Sequence, residues 1–324
     1  MTNPYNQRLN DLWAEMQRQG AGHPFMRGGN PAVLQTLTTR RPGETDYVPP
    51  AVNVSEEVLS HGPVRVRIYT PATESTDRPL FVWCHGGGFV GGDLDMPEAD
   101  ATAREVCARA DAVVVSVGYR LALDGVHYPV PHRDVVDAYE WAVGHADRWG
   151  ADRRRVTLGG ASAGANLAAG AALRIRDDAL APLAGLVLAY PLVHAPLPPA
   201  SDELAAKIAE LTPVMAFTPD VVNPVLENYI GGAVVDADSY AMPGNGADLK
   251  GLARTLIENC EYDGLRASGE AFAAQLWDAG VEVRSRTVLG VAHGHLNRPG
   301  LPQAAHSHAE IAAWVADSHL GQPC

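Results

Sequence analysis

The chain has 324 residues, 46% of them hydrophobic and 19% charged, with 38 acidic against 25 basic residues and a formal net charge of −13. This composition predicts a globular chain long enough for a large core, and the acidic balance argues against nucleic acid or an anionic membrane as an obligatory partner. No apolar run reaches membrane-spanning length, the first ten residues lack an apolar signal core, and Cys84, Cys107, Cys260 and Cys324 form no Cys-x-x-Cys pair, so the expectation is a cytoplasmic protein with reduced cysteines.

In chain order, Asn10 to Gln19 comes first, with Leu9, Leu12, Trp13 and Met16 on one helical face. Such a helix either docks on the core or forms part of a lid. Val52–Leu59 and Val64–Tyr69 read as two strands joined by a turn at His61-Gly62-Pro63. Arg65 and Arg67 alternate with apolar residues, as in a half-buried antiparallel strand. Leu80–Cys84, Val113–Val117 and Gly185–Tyr190 are continuous apolar runs, the pattern of strands covered on both faces. Thr255–Asn259 is a further strand, and the more polar Val281–Val288 fits near an edge. Helices are expected at 97–110, 134–147 and 303–318. Strands and helices that alternate in this way predict an α/β fold, a mostly parallel sheet with helices on both faces. Residues 191–250 break the alternation. They are rich in proline, carry expected helices at 201–211 and 221–229, and are longer than an ordinary crossover, which is the usual mark of a functional excursion.

The chemistry gathers at four strand ends. Arg155–Gly159 reads as a strand, Gly160-Ala161-Ser162-Ala163-Gly164 as a sharp turn, and Asn166–Ile175 as a helix rich in small residues. Strand, turn and helix around G-x-S-x-G make a nucleophile elbow, which lifts Ser162 above the sheet at a helix N-terminus. Gly160 and Gly164 are small because strand and helix nearly touch there. His85-Gly86-Gly87-Gly88-Phe89 follows the first buried strand, and three glycines let backbone N–H groups turn toward a ligand. With the N–H after the nucleophile they would form an oxyanion hole. The glycines of 86–92 run on as a loop and do not open a helix, unlike a dinucleotide fingerprint.

After such a serine an acid and then a histidine are expected. Asp263 and His293 each follow a strand, and the carboxyl ends of parallel strands share one edge. A hydroxyl needs an imidazole as base, and the imidazole needs a carboxylate to fix its tautomer. Glu261 competes with Asp263 for the acid's part, and His295 with His293 for the base's. The histidines at 293, 295, 306 and 308 lack an accompanying acid or cysteine ligand set, so neither a metal nor a cofactor is expected.

The ordered set His85-Gly-Gly-Gly-Phe89, Tyr119-Arg-Leu-Ala122, Tyr128-Pro129 with Asp134, Gly160-Ala-Ser-Ala-Gly164, Asn166-Leu-Ala168, Tyr262-Asp-Gly-Leu-Arg266 and His293-Gly294 resembles the hormone-sensitive-lipase-like esterases, bacterial family IV of the α/β-hydrolases. The resemblance runs from about residue 52 to the end. It implies an eight-stranded sheet whose second strand is antiparallel. It also implies a single catalytic domain, with core segments 49–190 and 251–324 and a helical cap made from residues 1–48 and 191–250. It implies Ser162 as nucleophile, His293 as base, Asp263 as its orienter, and the N–H groups of Gly87, Gly88 and Ala163 as the oxyanion hole. His85 and Gly86 would brace that loop.

The implied activity is hydrolysis of short- to medium-chain acyl esters through an acyl-enzyme. An amide or formamide hydrolase using the same residues is the alternative, and a non-catalytic small-molecule receptor is a distant one. The implied partner is a small-molecule ester, and homodimers, often through the last strand edge, are common in the family. The chain departs from the family pattern at Ala161, Ala165, Gly118, at Gly264 where proline is usual, and at His295 where an aromatic residue, usually Phe, is expected. The insert Leu123-Asp-Gly-Val-His127 also differs. His295 is expected to lie near the acyl or alcohol pocket.

Overall fold

The computed structural model describes residues 44–60, 62–211 and 215–318, together with Asp11, Ala14 and Arg18. The helix expected at Asn10–Gln19 lies outside the continuously described residues. Eight strands form one sheet: β1 Asn53–Val58, β2 Arg65–Thr70, β3 Arg78–Cys84, β4 Val113–Gly118, β5 Ala151–Ala161, β6 Gly185–Ala189, β7 Thr255–Tyr262 and β8 Val283–Ala292. Their order is β1-β2-β4-β3-β5-β6-β7-β8, with β2 antiparallel to both neighbours and every other pairing parallel. Helices α1 Pro97–Ala110, α2 Val130–His145, α3 Ala163–Asp177, α4 Asp202–Ala209, α5 Pro219–Ile230, α6 Arg266–Asp278 and α7 Pro302–Ala316 connect or cover it.

The sheet separates two apolar layers because successive side chains of a strand point to opposite faces. Leu80, Val82 and Cys84 of β3 join a layer with Val135 and Ala138 of α2, Leu167 of α3 and Phe272 of α6. Phe81 and Trp83 join the other, with Val106 of α1 and Ile311 and Trp314 of α7. Continuous apolar runs in the sequence therefore mark strands covered twice. Fully burying one such side chain stabilises the fold by about 1.5–3 kcal/mol.

Some boundaries differ from the sequence expectation. Helix α2 starts four residues earlier than expected, because Pro131 sits in the first turn, where its missing N–H costs no helical bond. Strand β5 begins at Ala151 and includes the polar Arg153–Arg155, which run beyond the doubly covered part of the sheet. Strand β8 runs on to Ala292 against β7. Helix α6, between β7 and β8, has a weakly patterned sequence and was not read as a separate element.

The expected excursion occupies the chain between β6 and β7, with α4 and α5 near the expected helices. Its helix α5 packs Val222, Val225, Leu226 and Tyr229 onto the α2–α3 side of the core. The C-terminal end of α5 is fastened to the loop after β4. Tyr128 N–H donates to Tyr229 O at 2.7 Å, Asn228 Nδ2 donates to Ala122 O at 2.7 Å, and the rings of Phe89 and Tyr229 stack at 3.8 Å. The His127 ring, part of the unusual insert, hydrogen-bonds Asn228 O at 2.6 Å.

Candidate active site

Strands β3, β5, β7 and β8 all end at the same sheet edge, and each delivers one part of the site. Past β5, Ser162 adopts φ 55° and ψ −116°, a left-handed conformation that costs a serine on the order of 1–3 kcal/mol. Two contacts hold it there. Its N–H donates to Ala189 O at the end of β6 at 2.8 Å, and its C=O accepts from Asn166 N–H at 3.1 Å in the first turn of α3. A side chain at Gly164 would run into the carbonyls of Cys84 and His85, and one at Gly160 into the carbonyl of Gly164. The elbow and the glycine loop are therefore pressed back to back, and only glycine permits it.

His293, just past β8, lies with Nε2 2.9 Å from Ser162 Oγ and Nδ1 2.7 Å from Asp263 Oδ2. Asp263 is fully buried, and its Oδ1 accepts the Leu265 N–H at 2.9 Å, which fixes the carboxylate plane. Ser162 is 8% exposed, so its hydroxyl is reached only from the site side. Serine, imidazole and carboxylate thus form one hydrogen-bonded line.

The competing residues go elsewhere. Glu261 accepts Gly290 N–H at 2.6 Å and pairs with Lys207 of α4 at 2.5 Å, and these contacts hold its carboxyl below the ordinary range. His295 does not lie near the pocket, contrary to the sequence expectation. Gly294 turns the chain at φ 75°, and His295 tucks beneath the β7 and β8 ends, with Nε2 2.9 Å from Ser307 Oγ and Nδ1 3.3 Å from Cys260 Sγ. Burial lowers its pKa to about 3, so the ring is neutral. His308 is buried against Thr102 and His306 is exposed. Among the described residues no group of three or more His, Cys, Asp or Glu side chains is placed to hold a metal ion.

The glycine loop is braced from below. Gly87 has φ 118° and Gly88 φ 61°, conformations open to glycine. Among the described residues no backbone carbonyl takes the N–H of either. Ala163 opens α3, so its N–H lies among those a helix leaves unpaired at its start. The His85 ring stacks on Tyr119 at 4.3 Å and lies 2.7 Å from Gly86 O through Nδ1. Burial lowers its pKa to about 4, so the neutral ring must carry its proton on Nδ1 to make that bond. Tyr119 Oη donates to His85 O at 2.8 Å.

One supporting residue escaped the sequence reading. Glu98, in the first turn of α1, is fully buried and accepts Trp83 Nε1–H at 2.6 Å and Gly86 N–H at 2.9 Å. Burial raises its pKa to about 7 even though both donors favour the carboxylate. In the sequence Glu98 looks like any acid that complements a helix N-terminus. Only the packing of α1 against the end of β3 reveals its second task.

Comparison with known proteins agrees with this fold. A family model described as the alpha/beta hydrolase fold matches residues 81–297. The esterase LipI of Mycobacterium tuberculosis is 34% identical over 249 residues, covering 75% of this chain and 74% of its own. The carboxylesterase NlhH of the same organism is 33% identical over 259 residues, covering 76% and 77%. The solved structure of a hyperthermophilic esterase from Pyrobaculum calidifontis superposes with a TM-score of 0.73 at 31% identity, covering 83% of this chain and 84% of that one.

Proposed function

For a chain that belongs to the α/β-hydrolase family, among its hormone-sensitive-lipase-like carboxylesterases, we propose a serine carboxylesterase of short- to medium-chain acyl esters in which Ser162, His293 and Asp263 do the chemistry. The observation that carries this reading is the unbroken line from Ser162 Oγ through His293 to Asp263, with contacts of 2.9 and 2.7 Å. As Ser162 Oγ bonds to the ester carbonyl carbon, its proton passes to His293 Nε2. The carbonyl oxygen becomes an oxyanion and takes the N–H groups of Gly87, Gly88 and Ala163. Asp263 stabilises the imidazolium. The carbon–oxygen bond to the alcohol then breaks, and the alcohol leaves with the proton from His293. Water activated by the same imidazole attacks the acyl-enzyme and releases the acid, restoring Ser162. Donors fixed before reaction need no reorganisation, and one of them is worth about 3–4 kcal/mol of transition-state stabilisation. His85, Gly86 and Glu98 serve by holding those donors in place.

In the same reading residues 1–48 and 191–250 form the cap over the site, and the enzyme is cytoplasmic, acting on a diffusible ester. No helix of the described residues is long and apolar enough to cross a membrane. Any pairing of two copies would run along the edge strand β8. The test is hydrolysis of p-nitrophenyl acetate, butyrate, octanoate and palmitate by wild type and Ser162→Ala. The expected result is turnover that declines with chain length and falls by about four to six orders of magnitude in the variant. A serine-reactive phosphonate that labels Ser162 without turnover of any ester would move the assignment to amides, and no label would overturn the hydrolase chemistry.

A further inference from the structure

We propose that Phe217 is a specificity-determining residue that forms an aromatic wall at the leaving-group side of His293, and that it selects esters of aryl and arylmethyl alcohols. The inference rests on the esterase reading and names the alcohol half of its substrate.

Three observations converge. The Phe217 ring lies 4.3 Å from the His293 ring, tilted by 47°, and approaches from the excursion, whereas the buried Tyr190 meets His293 from the interior at 4.9 Å. Phe217 adopts φ 45°, which a bulky aromatic residue takes only where its surroundings impose it. The imposing contact is Gly264, next to Asp263. A Cβ there would collide with the carbonyl of Ala216 and lie 2.6 Å from that of Phe217. Gly264 has no left-handed φ to explain its being glycine, so the need is for space. The departure from proline at this position thus lets the strand of chain at 216–217 close onto the acid's loop, and that closure sets the ring over the imidazole.

The chemistry assigns the side. The leaving oxygen must come within hydrogen-bond reach of His293 Nε2 to collect its proton. The group attached to that oxygen therefore lies beside whatever flanks the ring on its outer face, which is Phe217. A planar, apolar leaving group stacks there, and an aromatic pair is favoured beyond its buried area. A different residue of the excursion, Val225, borders the glycine loop, with its Cγ1 3.5 Å from where a Cβ on Gly88 would sit.

The test uses benzyl, cyclohexylmethyl and methyl acetate with the full-length protein. The three share one acetyl-enzyme and have alcohols of similar acidity, so kcat/KM reports acylation and leaving-group binding alone. Wild type is expected to prefer benzyl over both others. In Phe217→Ala the benzyl-to-methyl ratio of kcat/KM is expected to fall about tenfold. Phe217→Leu, which keeps bulk without the π-face, should lose the benzyl-over-cyclohexylmethyl preference. Gly264→Ala should lower the benzyl-to-methyl ratio in the same direction by pushing residues 216–217 outward. A fluorophosphonate, whose leaving group is only fluoride, should still label Ser162 in all three. An unchanged ratio in Phe217→Ala, with labelling intact, would overturn the proposal and leave the esterase reading standing. Absence of both turnover and label in wild type would overturn the esterase reading and this one with it.

Discussion

The glycine loop and helix α4 both border the carboxyl ends of the strands, yet different forces hold them. Behind the loop everything is buried: Glu98 between Trp83 and Gly86, His85 on Tyr119, and Tyr229 on Phe89. Helix α4 buries Leu204 and is otherwise tied by partly exposed charges: Lys207 pairs with Glu261 at 2.5 Å and lies over the Tyr262 ring at 4.9 Å, and Glu203 pairs with Arg266 at 3.1 Å. Buried polar groups are costly to orphan and insensitive to salt, whereas exposed ion pairs are screened and worth little. The side that offers N–H donors in the proposed mechanism has the buried support. The α4 side is held by contacts that exchange more readily with water.

The sharpest way to break this contrast is Glu98→Ala. It leaves the Gly86 N–H and the Trp83 indole N–H buried and unpaired, which should cost about 2–6 kcal/mol of stability in urea unfolding and lower kcat/KM for every ester alike. Glu98→Gln should not rescue it. The site presents two donors, and the amide offers one acceptor oxygen and two N–H donors of its own.

Acid next separates two groups of the buried side. His295, neutral in the fold with a pKa lowered to about 3 by burial, regains its ordinary affinity for a proton on unfolding. Its contribution is therefore present above about pH 6.5 and is lost as pH falls toward 3, on the order of 3 kcal/mol by pH 4. Glu98 works in the opposite sense. Its raised pKa of about 7 gives stability that is full below the ordinary carboxyl range and is lost as pH rises through 7. Urea midpoints measured from pH 4 to 8 should show a shallower acid limb in His295→Phe than in wild type. An unchanged limb would mean that His295 is protonated in the fold.

The smallest effect belongs to α4. Lys207→Met should leave the unfolding midpoint unchanged. In wild type KM should change between about 0.05 and 1 M NaCl as the pairs are screened, and the variant should flatten that dependence. A large loss of stability in the variant would contradict the contrast drawn above.

What the sequence made legible follows the range of the interactions. The elbow, the glycine run and the strands of β3, β4 and β6 are written in neighbouring residues, because a turn or a doubly covered strand imposes its demands locally. Ser162, Asp263 and His293 could be placed at one edge because each ends a strand and parallel strands share an edge, but the choice of Asp263 over Glu261 and of His293 over His295 rests on the family resemblance. Glu98, Phe217 and the burial of His295 were not legible. Glu98 depends on how α1 meets the end of β3, and Phe217 on how the excursion returns to Gly264. His295 depends on the turn at Gly294 choosing the interior. Each is a contact between segments far apart in the chain, and nothing in the local pattern distinguishes an acid that accepts a loop N–H from one that faces solvent.

The excursion between β6 and β7 leaves and rejoins the sheet at adjacent strands. At its start Ala189 stands opposite Glu258 within β7, and Tyr190 N–H donates to Glu258 O at 2.6 Å. Because the two strands are parallel, the chain returns at the amino end of β7, where Thr255 stands opposite Leu186, so the two ends lie about 10 Å apart along the strands and ~4.8 Å apart across them. Closing a loop over a fixed gap becomes only slightly more costly as the loop lengthens, by about 0.6 kcal/mol per doubling. Residues 190–254 are in this sense a cassette. A graft cut at the end of β6 and the start of β7 would exchange Phe217, Val225 and α4 together while the sheet, the elbow and the glycine loop kept their register.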